Sequence, residues 1–147
     1  MIHEIYIIDD EMILTESLKF LFKAERDFKL VRVKTDNVKT ALNKIPAMMI
    51  INEDNVSMDT IELCDLIRTN EDNSITPIIV VSSIQDKPHR LEILRHSVEY
   101  YIRKPIDNDY LFYTVKNLMF PPRRTDRSDQ APRRGASYPR CTFPRPP

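Results

Sequence analysis

The amino-acid sequence predicts an α/β domain, a (βα)5 arrangement in which five parallel strands alternate with five helices. Several short segments are almost continuously apolar, among them IYII, MMII and PIIVV. Such segments are typical of strands that helices cover on both faces. The segments between them repeat apolar residues every three or four positions, which indicates amphipathic helices. This alternation predicts a doubly wound parallel sheet with right-handed connections and helices on both sides.

Each predicted strand is an apolar run, and a helical pattern follows it. In chain order, the predicted strands are His3–Ile8, Lys29–Val33, Ala47–Ile51, Pro77–Val81 and Tyr100–Arg103. Four of the helices show an apolar face. The face of the first helix consists of Leu14, Leu18, Leu21 and Phe22, and that of the third helix consists of Ile61, Cys64 and Ile67. The face of the fourth helix consists of Leu91, Leu94 and Val98, and that of the fifth helix consists of Leu111, Thr114, Val115 and Leu118. Asp59 and Asp107 stand where N-terminal helix caps are expected.

The composition is that of an ordinary globular domain. Of the 147 residues, 41% are hydrophobic and 30% are charged, which is a common balance. No apolar run reaches the roughly 18 residues that a membrane helix requires. The start, MIHEIYIIDDEM, lacks a basic segment before its apolar run, so it predicts a strand and not a signal peptide. The two cysteines, Cys64 and Cys141, match no metal-binding spacing. We expect Cys64 to be a buried thiol and the protein to lie in a reducing cytoplasm.

The chain changes character at Pro121. Residues 121–147 hold 7 of the 11 prolines, the only glycine and a net charge of +5, whereas residues 1–120 carry a net charge of −5. We therefore expect one domain at 1–120 and a disordered tail at 121–147, since the tail has too few aliphatic residues to form a core. A frameshift or vector-derived origin explains so abrupt a change better than a functional basic arm. The acidic body argues against nucleic-acid binding by the domain itself.

The predicted topology indicates where a functional site would lie. In an open parallel sheet, sites form beyond the carboxyl ends of the strands. The polar residues at these ends are Asp9-Asp10-Glu11 after strand one, Asn52-Glu53-Asp54 after strand three, Ser82-Ser83 after strand four and Lys104-Pro105 after strand five. Two acidic clusters, a hydroxyl and a lysine are thus expected to meet at one edge of the sheet.

Two other kinds of site are disfavoured. The body contains no glycine, which excludes a glycine-rich phosphate loop and so disfavours a nucleotide-binding module. No Ser/His/Asp or Cys/His set points to a small enzyme with nucleophilic catalysis. The histidines His3, His89 and His96 show no ligand or catalytic arrangement and are expected to be surface residues.

Together these features resemble the receiver domain of two-component response regulators. The similarity covers about residues 3–120 and rests on four motifs in order, IYIIDDE, MMIINEDNVSMDTIEL, TPIIVVSS and YYIRKPI. The spacing also fits, with 42 residues from Asp10 to Asn52, 30 from there to Ser82 and 22 more to Lys104. The resemblance implies a flavodoxin-like fold with strand order 2-1-3-4-5, a role in signal transduction and no enzymatic activity.

The resemblance also implies a metal site. In that family an acidic pair after strand one binds Mg²⁺, and this pair corresponds to Asp9 and Asp10. The residue two positions beyond the phosphate acceptor contributes its backbone carbonyl, and this residue corresponds to Asp54. Oxygen ligands of this kind suit Mg²⁺. A cis peptide bond is implied at Lys104-Pro105, where a proline makes it accessible.

Other positions correspond to residues that handle the phosphoryl group in the family. The acceptor position is Asn52, since the segment SMDTIEL places Asp59 seven residues after the acceptor. Ser82 and Lys104 correspond to residues that contact the phosphoryl oxygens, and Tyr101 to an aromatic residue that changes rotamer on activation. A lysine and Mg²⁺ together would supply the positive charge that phosphoryl transfer requires.

Asn52 departs from the family, in which this position is an aspartate. An uncharged amide is a poor nucleophile and cannot form the usual acyl phosphate, and the loss of one negative charge is expected to weaken or abolish Mg²⁺ binding. Val56, Ser57 and Thr60 also replace the usual proline and glycines. The whole loop is therefore altered, which favours a naturally degenerate receiver over a single engineered change. A purely structural role for Lys104, paired with Asp10 or bonded to Asn52, stays open.

Two functions are compatible with these residues. The first is an interaction module that works without phosphorylation on an output domain, a second receiver or a sensor kinase, with no membrane partner. It could form a homodimer through the family's usual surface of helix four, strand five and helix five. That surface includes Arg90, Arg95, Arg103, Asp107, Asp109, Tyr110 and Lys116. The second is a phosphoacceptor that uses Asp54 and Mg²⁺ as a surrogate site, while Glu53 is expected to point to the opposite face of the strand.

Overall fold

The computed structural model describes residues 2–121. The tail that the composition predicts to be disordered therefore lies outside the described residues, apart from Pro121. Of the described residues, 2–115 form one compact unit, and those from 116 onward belong to a second. The first unit contains the whole sheet and all of the predicted site residues. None of the helices within residues 2–121 is long and apolar enough to cross a membrane.

Five parallel strands form one sheet. They are β1 (His3–Ile8), β2 (Phe28–Val33), β3 (Met48–Asn52), β4 (Ile78–Ser82) and β5 (Tyr100–Arg103). Their order across the sheet is β2-β1-β3-β4-β5, and every neighbouring pair is parallel. The predicted fold class and strand order are confirmed, and each strand boundary lies within one residue of its prediction.

Helices connect these strands. They are α1 (Ile13–Leu21), α2 (Val38–Ala41), α3 (Thr60–Thr69), α4 (Lys87–Leu94) and α5 (Asn108–Met119). Short 3-10 turns lie in the connections, at Thr35–Asn37, Glu53–Asn55 and Glu71–Asn73. The second of these turns directly follows β3, so the chain leaves the sheet immediately after Asn52.

The core explains why the central strands are almost continuously apolar. Every residue of β3 and β4 is buried, as expected for strands with helices on both sides of the sheet. Leu63, Cys64 and Ile67 of α3 pack into the same core and have no exposed surface. Burial raises the pKa of the Cys64 thiol to about 12. The predicted buried thiol is therefore confirmed, and it stays protonated at neutral pH.

The predicted apolar face of the fourth helix is only partly right. Leu94, the last residue of α4, packs partly buried against the core, but the buried residue of the helix is Ile93, and Leu91 is 43% exposed. Val98 is buried as expected, but it lies beyond the helix in the segment that leads to β5. Ser97 has a positive φ of 63°. A left-handed residue at that point interrupts the helical path that the predicted spacing requires.

Asp59 caps α3 as the sequence predicts, because its side chain accepts a hydrogen bond from the backbone N–H of Glu62. Asp107 likewise accepts from the N–H of Tyr110 at 3.1 Å.

Asp59→Ala is expected to lower the free energy of unfolding by about 1 kcal/mol, measured by urea denaturation, since a helix amide loses its acceptor. Asp27→Ala, which removes the same side chain from an exposed turn, is the control. An equal loss in both variants would contradict the capping role.

Candidate functional site

The carboxyl ends of four adjacent strands bring the predicted residues to one edge of the sheet. Asp9 follows β1, Asn52 and Ser82 end β3 and β4, and Lys104 follows β5. Asp9, Asn52 and Ser82 are buried, whereas the Lys104 side chain is 27% exposed. Buried polar groups need hydrogen-bond partners, so the partners of these three residues define what the pocket can do.

Asn52 bridges an acidic and a basic side chain. Its Nδ2 donates to Asp9 Oδ2 over 3.1 Å, and its Oδ1 accepts from Lys104 Nζ over 2.9 Å. An amide can make both contacts, whereas an ionised carboxylate has no proton to donate. The amide therefore does in this pocket what an ionised aspartate could not do. The structural role that the sequence left open for Lys104, a hydrogen bond to Asn52, is present.

Lys104 also contacts Asp54. The distance from Lys104 Nζ to Asp54 Oδ2 is 2.8 Å. The Asp54 carboxylate further accepts from the Ser83 hydroxyl at 2.9 Å and from the Ser83 N–H at 3.1 Å and 3.2 Å. Partial burial alone raises the pKa of Asp54, but the hydrogen bonds from Lys104 and Ser83 outweigh it, so this pKa lies below its usual value. Asp54 thus brings a charged side chain to Lys104, whereas the family resemblance implied a role for its backbone carbonyl alone.

The acidic pair after β1 is engaged by other parts of the chain. Asp9 Oδ1 accepts from the N–H of Glu11 at 2.9 Å. Asp10 accepts from the N–H of Thr35 at 2.8 Å and from its hydroxyl at 3.2 Å, one bond to each carboxylate oxygen. The same hydroxyl accepts from the N–H of Ser57 at 3.2 Å. Asp10 therefore ties the end of β1 to the 3-10 turn after β2, a contact for which the sequence gives no signal.

The donor set does not fit Mg²⁺ in this arrangement. Mg²⁺ requires several hard oxygen ligands in near-octahedral geometry, but both Asp10 oxygens face Thr35 and Asn52 turns its Nδ2 toward Asp9. Within residues 2–121, no three side chains of Asp, Glu, His or Cys are grouped so that they could hold a metal ion. Positive charge in the pocket comes instead from the Lys104 ammonium.

Ser82 and the bond before Pro105 shape the pocket wall. The Ser82 hydroxyl accepts from the N–H of Ile84 at 3.0 Å, and the Ser82 carbonyl accepts from the N–H of Lys104 at 2.8 Å. Lys104-Pro105 is a cis peptide bond, as the resemblance implies. The serine hydroxyl that contacts Asp54 is not that of Ser82 but that of Ser83, which in the sequence stands out only as the second residue of a serine pair.

Tyr101 belongs to a neighbouring polar cluster. Its hydroxyl donates to Glu53 Oε1 at 3.1 Å, and Glu53 Oε2 lies 2.8 Å from Nε2 of His89. Burial and the Glu53 carboxylate raise the pKa of the Tyr101 phenol to about 12. The Glu53 side chain is only 6% exposed. His89, expected to be a surface residue without a defined partner, is instead paired with a buried carboxylate and is 28% exposed.

A groove of about 410 Å³ opens beside the pocket, between α1 and the loop after β5. Asn52, Asn55 and Lys104 form its polar end. Its remaining lining is mostly apolar and comes from Ile13, Leu14, Leu18, Pro105 and Ile106, together with Ser17 and Asn108. An apolar surface thus adjoins Asn52 and Lys104.

Several receiver domains of known structure share this fold. The receiver domain of the sensor histidine kinase PA1611 from Pseudomonas aeruginosa, with a magnesium ion in its active-site cleft, is 16% identical with a TM-score of 0.69, over 81% of this chain and 98% of that one. A signal receiver domain of a signal transduction histidine kinase from Syntrophus aciditrophicus is 22% identical with a TM-score of 0.71, over 83% of this chain and 93% of that one. The chemotaxis response regulator CheY4 of Vibrio cholerae is 12% identical with a TM-score of 0.70, over 80% of this chain and 99% of that one.

Identities this low establish the fold alone, and no curated protein sequence matches the chain significantly. The family is established by sequence: the model of the response regulator receiver domain matches residues 5–116. This match spans β2 to β5, all of β1 but its first two residues, the pocket and most of α5. The chain therefore belongs to the response regulator receiver domain family of two-component signalling.

Proposed function

We propose that this chain is a pseudo-receiver, a cytoplasmic signalling module that acts through protein contacts and is not phosphorylated at Asn52. The observation that carries the proposal is the hydrogen-bonded bridge through the Asn52 amide, from Asp9 to Lys104. Transfer of a phosphoryl group needs a positioned nucleophile and free positive charge. Here the nucleophile position holds a neutral amide, and Asp54 already pairs with the lysine.

The bridge also supports a single resting arrangement of the pocket. Asp9, Asn52 and Lys104 join the ends of β1, β3 and β5 by direct side-chain contacts. Two of these residues are buried, and hydrogen bonds that satisfy buried polar groups rigidify the surrounding structure. A receiver held in this way signals by presenting a fixed surface or by responding to a partner. This role does not need Mg²⁺.

Exposure to acetyl phosphate and Mg²⁺ tests the proposal, with intact-mass spectrometry as the measurement. We expect no phosphoryl adduct on the unmodified chain, because an amide cannot form a stable acyl phosphate. Asn52→Asp is the positive control and is expected to gain the mass of one phosphoryl group. An adduct on the unmodified chain that survives in Asn52→Ala and disappears in Asp54→Asn would overturn the proposal.

That contrary result would establish the second candidate, a phosphoacceptor that uses Asp54 and Mg²⁺. A specific contact favours this candidate: the Asp54 carboxylate lies against Lys104 and the Ser83 hydroxyl, and its lowered pKa keeps it ionised. In such a reaction an Asp54 oxygen would form the new bond to phosphorus as the phosphorus–oxygen bond of acetyl phosphate breaks and acetate leaves. The same ion pair also opposes the reaction, since it withdraws charge from the nucleophile.

The face of α4, β5 and α5 is the proposed contact surface for an output domain, a sensor kinase or a second receiver, including a homodimer. Its exposed apolar area comes from Leu91, Tyr110 and Tyr113, which are 43%, 49% and 68% exposed. Exposed charges of both signs lie on the same elements, including Arg95, Arg103, Asp107 and Asp109. A two-fold axis through such a mixed surface can pair opposite charges. The acidic body carries no feature that favours a nucleic-acid partner.

A further inference from the structure

We propose that Glu53 and His89 form a latch that fixes Tyr101 and the start of α4 against the end of β3 without a phosphoryl group. The latch consists of the Glu53 carboxylate, the His89 imidazole and the Tyr101 hydroxyl. It rests on the proposed function, because a module that is not phosphorylated needs another means of setting the α4–β5 surface. Neither Glu53 nor His89 takes part in the Asn52 pocket.

Both oxygens of the Glu53 carboxylate are committed to the latch. Oε1 accepts from the Tyr101 hydroxyl at 3.1 Å and Oε2 lies 2.8 Å from His89 Nε2. With 6% of its side chain exposed, this carboxylate is costly to hold without partners. Since Glu53 starts the turn that follows Asn52, the two partners are fastened directly to the end of β3.

His89 links the latch to the first turn of α4. Its backbone N–H donates to the capping carboxylate of Asp86 at 3.1 Å, while its ring faces Glu53. The apolar core contacts of α4 come from Ile93 and Leu94 at the end of the helix, whereas its first turn contains no buried residue. The polar contact at His89 therefore contributes much of what fixes the beginning of this helix.

Tyr101 is the third member of the latch. Its hydroxyl also lies 3.4 Å from the carbonyl of Ile84, in the segment between β4 and α4. The His89 and Tyr101 rings meet edge to face with centroids 6.4 Å apart. Two other carboxylates of the adjoining segments have partners of their own, Asp54 with Lys104 and Asp86 with the first turn of α4. The side chain of Tyr101 is thus set by residues of the chain itself.

Amide hydrogen exchange of the full chain tests the latch in the absence of any phosphate donor. We expect His89→Ala to increase exchange in residues 87–94 about tenfold, because the start of α4 loses its anchor. His96→Ala is the matched control. The His96 side chain is exposed to a similar extent, but the carboxylates that it pairs with, those of Asp65 and Glu92, are 57% and 48% exposed, and the variant is expected to change exchange less than about twofold. Unchanged exchange in β3 verifies that each variant is folded.

A second measurement reports on Tyr101 itself. In chain labelled with fluorotyrosine, the Tyr101 resonance is assigned by its absence in Tyr101→Phe, and we expect it to shift in His89→Ala and not in His96→Ala. The proposal requires both effects. The proposal would be overturned if amide exchange of residues 87–94 in His89→Ala were no faster than in His96→Ala. It would also be overturned if the Tyr101 resonance did not shift in His89→Ala. Phosphorylation is not involved in either readout, so a failure of the latch is distinct from a failure of the proposed function.

Discussion

Asn52→Asp is expected to bind Mg²⁺ about tenfold more tightly than the unmodified chain, or better. The substitution replaces a neutral amide with a carboxylate beside Asp9, and the number of charged oxygen ligands strongly tunes the affinity of such sites for divalent cations. It also removes the N–H that Asp9 accepts. Two facing carboxylates repel each other, and a bound cation relieves that repulsion.

The same substitution is expected to destabilise the protein when Mg²⁺ is absent. Losing the Asn52 to Asp9 hydrogen bond and gaining a like charge in a buried pocket should lower the free energy of unfolding by about 2 kcal/mol. Mg²⁺ should restore stability to Asn52→Asp, since a ligand that binds only the folded state stabilises it by mass action. Urea denaturation with EDTA and with Mg²⁺ measures both effects.

Asn43→Asp is the matched control, because it makes the same change of charge at an exposed position outside the pocket. We expect its stability to differ little between EDTA and Mg²⁺. Equal Mg²⁺ dependence in the unmodified chain and in Asn52→Asp would show that the amide is not what weakens the site. If Mg²⁺ stabilised Asn43→Asp as much as Asn52→Asp, the effect would come from added negative charge on the protein and not from a carboxylate in the pocket.

Arg68→Met is expected to cost about 3 kcal/mol of unfolding free energy, far more than the loss of an ordinary surface charge. The Arg68 guanidinium donates to the carbonyls of Asn73, Thr76 and Ser97, and it pairs with Glu99 at 3.3 Å. Its side chain is only 12% exposed. Methionine keeps the volume of the aliphatic stem but leaves these carbonyls without their donor.

The position of Arg68 explains the size of this effect. It projects from the end of α3 and ties together the segments that lead into β4 and β5. Arg95→Met is the control, since Arg95 is 76% exposed and makes an ion pair with Glu92 at 3.4 Å. We expect that control to change stability by less than about 0.5 kcal/mol. Urea denaturation measures both variants. Similar losses of unfolding free energy would contradict the role of Arg68 in holding these segments together.

The sequence predicted the strands and the composition of the pocket because both depend on local features. A run such as MMII is apolar because both faces of a parallel strand are covered, and strand ends in such a sheet meet at one edge. Asn52 and Lys104 could therefore be assigned to the same pocket although they lie 52 residues apart. The prediction of the apolar face of α4 failed in part because the left-handed conformation of Ser97 cannot be inferred from the spacing of apolar residues.

The sequence by itself thus determined the fold, the strand order through its family motifs, and the neutral amide at the acceptor position. Only the tertiary structure decided which partner each polar side chain takes: Asp10 bonds Thr35, Asp54 bonds Lys104, and Glu53 joins His89 to Tyr101. Apolar periodicity is a local property and shows in one sequence, whereas the pairing of buried polar groups depends on the directions of side chains from distant segments. Those directions are fixed only when the sheet has formed and brought the segments together.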